Sequence, residues 1–268
     1  MRQQEIKHFA CLMKLMQADL QHFEAKYGGK FAEAPHAGLG NRKTRCVNEA
    51  TLPIITCHPS CMRKCARECY VINIMTFPRP SCRRCQARNT VLRRIDAEAY
   101  YEYFFAEAER RGLPLRLSDG GDMENATQAR ACVKAAQRHP SVHAIGYTKR
   151  IELLGEFMLA PANLHMRYSA WAGDEANTAK ARAMGFDLTH VVTNGGGNCP
   201  YQNSMARFRA HKAEIARQLR AQGIDTKTAN KQAERLTESE ITVHHCRDCA
   251  RLGIGCCAQG IDIRFNKV

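Results

Sequence analysis

Apolar residues recur at helical spacing near the start of the chain. Ile6, Phe9, Leu12, Met13, Met16, Leu20 and Phe23 share one face of a helix expected over residues 4–26, which Gly28 and Gly29 end. Residues 28–50, rich in Gly and Ala and carrying the basic run Arg42 to Arg45, are expected to form a loop. The apolar run Leu52 to Thr56 predicts a short strand leading into Cys57. The pattern then alternates. Residues 88–111 predict one long helix bearing Tyr100, Tyr103, Phe104 and Phe105 and stopped by Gly112. Strands are expected at 114–118, 142–148, 164–169 and 188–193, and helices at 125–138, closed by His139 and Pro140, and at 174–184. Strands separated by helices imply parallel pairing through right-handed crossovers. Met205 to Leu236 breaks the rhythm as a basic helical hairpin turning at Gly223 to Asp225.

The expected fold is therefore α/β: a partial or full (β/α) barrel of parallel strands with an N-terminal helix, an inserted helical hairpin and a cysteine-rich C-terminal metal site. Residues 1–45 carry the helix and basic loop, 46–200 the barrel-like core, 201–240 the hairpin and 241–268 the cysteine-rich segment. In such folds chemistry gathers at the C-terminal ends of the strands.

Composition adds three constraints. The chain has 268 residues, 44% of them hydrophobic, with no apolar run long enough to cross a bilayer and no signal-peptide pattern at the start. A cytoplasmic protein with no membrane partner is expected. Its 14 cysteines, in a reducing compartment, point to metal or redox chemistry rather than disulfides. Cys11 and Cys132, on helical patterns, are expected to be small buried apolar residues. A net charge of +14 attracts polyanions, so nucleic acid, a nucleotide or another anionic ligand is the expected partner.

Cys57, Cys61, Cys65 and Cys69 follow one another at four-residue intervals. Thiolates at this spacing converge on a soft metal or an iron–sulphur cluster, and Arg63, Lys64 and Arg67 favour an anionic site. Four ligands close a cluster, whereas three leave an iron open for a substrate or cofactor. Cys82 and Cys85 either complete a zinc knuckle with Cys57 or a histidine or form a surface pair, the second being favoured because CxxC alone is a weak signal. Leu115 to Ser118 runs into Asp119, Gly120, Gly121 and Asp122. The glycines allow close backbone approach to a ligand and the carboxylate can accept hydrogen bonds from one; an ordinary Asp-Gly turn is the plain alternative. Near the end, Cys199, Cys246, Cys249, Cys256 and Cys257 make a second thiolate site for zinc or a second [4Fe–4S] cluster, with His244 and His245 as spare ligands.

These residues resemble the phage "gene product eighty-eight" family. The matching run is Leu52-Pro53, Thr56-Cys57, Cys69-Tyr70, Arg88-Asn89, Gly121-Asp122, Pro140, Gly146 to Lys149, Cys199-Pro200 and the Cys246/Cys249 pair. The resemblance covers residues 45–200 and 240–258 and leaves out the N-terminal helix and the hairpin. In outline the chain is also similar to radical-SAM enzymes. That similarity implies a [4Fe–4S] cluster on Cys61, Cys65 and Cys69 and S-adenosylmethionine held against Ser118, Gly120, Gly121, Asp122 and Tyr70. It also implies an auxiliary cluster in the C-terminal segment and a reductant protein as partner. The chain departs from that pattern in its CxxxCxxxC spacing, in Glu68 before the last cysteine and in the extra Cys57. Nucleic-acid binding through Arg207, Arg209, Lys212, Arg217 and Arg220, with structural metals, and redox sensing are the competing expectations. Catalytic triads, P-loops and HExxH motifs are absent from the sequence.

Overall fold

The computed structural model describes residues 3–39, 45–59, 69, 71–72, 75, 80–171, 173–192, 199–243, 248–249 and 262–266. Helix α1 (Gln3–Tyr27) turns Leu12, Met16, Leu20, Phe23 and Tyr27 into the main core, the face its spacing predicts. Cys132 is buried but Cys11 is exposed, so only the first is the small core residue expected of both.

The strand expected at Leu52 to Thr56 is a turn instead. Strand β1 is Val47–Ala50, inside the stretch expected to be loop. Pro53 has no N–H for a ladder. Ile55 N–H donates to the Pro53 carbonyl (2.8 Å), Thr56 N–H to that of Leu52 (3.2 Å), and Ile54 has φ 69°. The long helix expected over 88–111 is two helices, α2 (Pro80–Ile95) and α3 (Ala97–Arg111). Asp96 separates them with extended backbone and caps α3 by accepting the Ala99 N–H; Gly112 ends α3 at φ 59°. Cys82 and Cys85 thus lie in the first two turns of α2 and are half-buried.

The remaining elements alternate: β2 (Leu115–Gly120), α4 (Ala126–Arg138), β3 (Ala144–Thr148), a 3-10 helix (Ile151–Phe157), β4 (Leu164–Ala170), α5 (Glu175–Ala183) and β5 (Leu188–Val192). The hairpin follows as α6 (Pro200–Ala221) and α7 (Thr226–Glu240). Its buried residues are small (Ser204, Ala216, Ala229, Ala233, Thr237), which lets the helices approach closely. Strand β6 (Ile263–Asn266) lies in a segment for which no strand was expected.

The six strands pair in chain order, β1-β2-β3-β4-β5-β6, and every ladder is parallel. β1 and β6 are the two ends of that order, so among the described residues the sheet is open and the full barrel is not formed. Because side chains alternate along a strand, the two faces separate cleanly. Val47, Leu115, Leu117, Ala144, Leu164 and Met166 join the main core with residues of α2, α3 and α4. Tyr168, Ala170 and Leu188 form a second core with Ala181 of α5. The alternate positions are Asn48 and Ala50, Arg116, Ser118 and Gly120, Ile145 and Tyr147, His165, Arg167 and Ser169, and Thr189 and Val191; most of them are polar. A parallel sheet covered on both faces is apolar on both. This one has a polar face.

Candidate functional site

At the C-terminal end of β1 the chain makes a compact loop that delivers Cys57. Helix α2 holds its base: Asn89 Nδ2 donates to the carbonyls of Ala50 and His36, both at 3.0 Å, and Thr90 Oγ1 accepts the Leu52 N–H at 2.9 Å. Thr56 Oγ1 donates to the Leu52 carbonyl (2.8 Å), and Cys57 Sγ receives the Ile54 N–H (3.3 Å).

The double-glycine turn after β2 docks on this loop. Thr51 N–H donates to the Gly120 carbonyl (2.8 Å), and Asp122 N–H to Thr56 Oγ1 (3.1 Å). A Cβ on Gly121, whose φ is +74°, would lie 2.3 Å from Thr56 Oγ1 and 2.4 Å from Thr51 Oγ1. Gly121 is therefore required by packing and by conformation together. The Asp122 side chain is buried. Its Oδ1 accepts the Met123 N–H (2.8 Å), and its Oδ2 accepts Thr148 Oγ1 (3.1 Å) and the Lys149 N–H (2.9 Å). Burial pushes its pKa up, against the opposing pull of these hydrogen bonds. The carboxylate ties the end of β2 to the end of β3. Ser118 departs from strand geometry (φ 54°); its N–H donates to Glu49 Oε2 (2.7 Å), and its Oγ is buried without a partner.

Beneath the turn lies a charged cluster that sequence patterning did not find. Glu49 and Arg93 are 0% and 1% exposed and form an ion pair at 3.5 Å. Tyr100 donates its hydroxyl to Glu49 Oε1 (2.8 Å), and Arg93 donates to the Asp122 carbonyl (2.6 Å). Charged residues inside an otherwise polar strand and helix read as surface, and only their pairing across elements identifies them. The cluster fixes β1, α2, α3 and the turn to one another.

The rim above β3 and β4 is basic and aromatic. Arg150 reaches back across the strand ends to donate to the Thr56 carbonyl (3.2 Å), beside Cys57, and pairs with Glu152 (3.2 Å). His58 lies 3.6 Å from the same Glu152. Lys149 Nζ donates to Ser169 Oγ (2.7 Å) and lies 5.9 Å from the centre of the Trp171 ring. On the polar face Arg116 lies over Tyr147 (5.8 Å) and pairs with Asp119 (3.2 Å).

Of the expected ligands, Cys57 and Cys69 are half-buried and Cys199 and Cys249 buried; Cys69 packs on the main core, and Cys199 precedes Pro200 at the start of α6. Cys61, Cys65, Cys246, Cys256, Cys257 and Tyr70 lie outside the described residues, as do His244 and His245. Among the described residues no group of three or more Cys, His, Asp or Glu side chains is arranged to hold a metal ion. Cys82 lies closer to the turn than its weak motif suggested: Gln86 Nε2 approaches its Sγ at 3.8 Å and would be 3.4 Å from a Cβ on Gly120.

These features define an α/β protein with an all-parallel sheet in sequential order, whose strand ends carry a cysteine loop, a double-glycine turn and a basic rim. The chain belongs to the gene product 88 family, whose model matches residues 18–251. The match runs through the hairpin and the end of α1, both outside the resemblance drawn from sequence. No curated protein and no solved structure matches the chain. No helix among the described residues is long and apolar enough to cross a membrane.

Proposed function

We propose that this protein is an iron–sulphur enzyme of the radical-SAM type that acts on an anionic substrate, a nucleotide or nucleic acid. The observation that carries the proposal is the docking of the Cys57 loop onto the double-glycine turn at the C-terminal edge of a sequential parallel sheet. The polar face of that sheet supplies side chains that can meet a polar ligand, and in (β/α) folds chemistry gathers at the C-terminal ends of the strands. Cys61, Cys65 and Cys69 would hold the cluster, with Cys57 as the alternative first ligand. Cys199, Cys246, Cys249, Cys256 and Cys257 would hold a second cluster or zinc. The donor chemistry fits: Cys57 and Cys69 are half-buried thiols, Cys57 accepts a backbone N–H, and the Arg150 guanidinium is bonded to the carbonyl of the preceding residue, Thr56, a cationic setting that suits an anionic cluster.

When bound, such a cluster supplies one-electron reduction of chelated S-adenosylmethionine, using electrons from a reductant protein. The chain's own residues do the positioning. Gly121 lets the turn close against Thr51 and Thr56. Both Asp122 oxygens are engaged within the fold, so its part is to hold the turn, with Gly120 and Ser118 beside it, rather than to offer an open carboxylate. Lys149 and Arg150 give the mouth a positive potential toward an anionic substrate.

The test is to purify the protein without oxygen, quantify iron, sulphide and zinc, and record the EPR spectrum of the reduced form with and without S-adenosylmethionine. Iron and sulphide at about four per chain or more, with a signal that shifts on adding the cofactor, is the expected result. Zinc alone, or a cluster blind to the cofactor, would overturn the proposal. A second function, nucleic-acid binding by the hairpin, is favoured by one observation: Arg207, Arg209, Arg217 and Arg220 are exposed along α6.

A further inference from the structure

Helix α2 holds the candidate site turn by turn along one face. Arg93 donates to the Asp122 carbonyl, Thr90 and Asn89 fix the base of the Cys57 loop, and Gln86 lies against Gly120. Continued toward the start of the helix at the same three- and four-residue spacing, that face carries Cys85 and Cys82. The CxxC pair therefore stands at the amino end of the helix that positions the site. Both cysteines are reduced and half-buried.

Gln86 links the pair to the double-glycine turn. Its Nε2 donates to Cys82 Sγ (3.8 Å) and would be 3.4 Å from a Cβ on Gly120. The residue is 9% exposed, and its Oε1 is buried without a partner. The Cys82 sulphur is thus the one polar hold on this amide among the described residues. Cysteines three apart on a helix have Cβ atoms about 5–6 Å apart, whereas a disulfide needs about 3.5–4.5 Å. The first turn of a helix can close that gap, because its N–H groups have no partner within the helix, and α2 begins at Pro80, which has no N–H at all. The surroundings suit an anionic oxidant: Arg84 is exposed, Arg83 is tied to Asp19 of α1 (2.5 Å), and the first turn of α2 holds no acidic residue.

We propose that Cys82 and Cys85 form a redox-active dithiol whose oxidation loosens the double-glycine turn. The oxidant is a small disulfide of the glutathione type. One cysteine thiolate attacks it, forming a mixed disulfide and releasing one thiol. The second cysteine then displaces the other thiol and forms the Cys82–Cys85 bond. Two protein thiols are oxidised, one disulfide is reduced to two thiols, and the protons lost by the cysteines pass to the leaving thiolates. Closure takes Cys82 Sγ out of its contact with Gln86 and leaves a buried amide unheld against the turn.

The full-length protein, purified without oxygen, would be equilibrated in graded mixtures of reduced and oxidised glutathione, quenched, alkylated and digested with trypsin. Trypsin cuts after Arg83 and Arg84, so a Cys82–Cys85 bond joins two peptides that otherwise separate; fragmentation tells it from a bond to Cys69, which shares a peptide with Cys82. The pair is expected to oxidise reversibly at ratios that leave the buried Cys46 and Cys132 reduced. Cys82→Ser and Cys85→Ser should each stop at the mixed disulfide on the remaining cysteine. Hydrogen exchange at the Thr51 and Asp122 amides, which join loop and turn, should quicken about tenfold in the oxidised wild type and stay unchanged in Cys82→Ser under the same buffer. No linked peptide at any ratio, a bond from either cysteine to a third, or an oxidised pair with unchanged exchange at the turn would overturn the proposal. Neither readout depends on iron content, so the proposal stands or falls apart from the radical reading.

Discussion

Gly121 shows how tightly the turn and the cysteine loop are joined. Adding one methyl group there sets a carbon within 2.4 Å of two threonine oxygens at φ +74°. Gly121→Ala should lower unfolding free energy by roughly 2–3 kcal/mol, through overpacking and backbone strain together, and, on the proposal of a cluster beside the Cys57 loop, should reduce iron retention because that loop is displaced. A urea titration and an iron assay read the two effects; unchanged stability would show that the loop and turn are not coupled. Asp122→Ala strands the Thr148 hydroxyl and the Lys149 and Met123 N–H groups and should cost about 3 kcal/mol, with Asp122→Asn costing less. Residues of this kind were half legible. The Gly-Gly-acid pattern pointed to the right turn, but Glu49 and Arg93 were invisible, since nothing in a linear pattern marks a charge whose partner lies on another element. For the same reason Val47 to Ala50, with Glu49 in its midst, does not read as a strand, whereas Leu52 to Thr56 does until Pro53 and its turn are taken into account.

Between elements, the pairing of α3 with α4 carries a pH-dependent clamp. His139, which caps α4, places Nδ1 2.7 Å from Glu109 and Nε2 2.9 Å from Glu102. Two carboxylates can both accept only if both ring nitrogens donate, so the folded state favours imidazolium. Burial opposes that charge, but the two glutamates outweigh it and hold the His139 pKa above its ordinary 6.5. Glu102 is lowered, despite burial, by His139 and Arg138; Glu109 is lowered by Ser141 and then His139. The histidine contribution is complete below the unfolded pKa and fades as pH rises through the raised folded value. The glutamate contributions are complete above their ordinary value and fade as pH falls through the lowered ones. The stability difference between wild type and His139→Gln, followed by urea midpoints, should therefore peak at about pH 5–6 and shrink above neutrality. A difference independent of pH would count against the clamp. Element boundaries were legible where a capping residue marks them, as at Gly112 and Asn125. They were missed where one residue breaks an otherwise continuous pattern, as Asp96 does between α2 and α3.

Across the whole molecule, the net charge of +14 is not uniformly available. Lys212 and Arg217 on the hairpin are bound by Glu234 and Glu214, whereas Arg207, Arg209 and Arg220 are exposed. If the hairpin tracks phosphates, reversing these three to glutamate should weaken binding to single- or double-stranded nucleic acid and lower the slope of affinity against salt by about three. An unchanged slope, measured by anisotropy across a salt series, would assign the charge to the sheet rim instead. The parallel, sequential order of the sheet was legible from the alternation of strands and helices, but its last member was not. Ile263 to Asn266 follows a cysteine-rich stretch that drew attention to metal and away from the alternation of Ile263, Arg264, Phe265 and Asn266. Its position also matters while the protein is being made. Residues 193–262 separate β6 from β5, its only partner among the described strands. A ribosome adding roughly 5–20 residues per second leaves the β5 edge without that neighbour for several seconds. During that interval Thr189 to Val192 presents an unpaired template to other nascent chains, and chaperone cover or slowed growth temperature should raise the yield of folded protein.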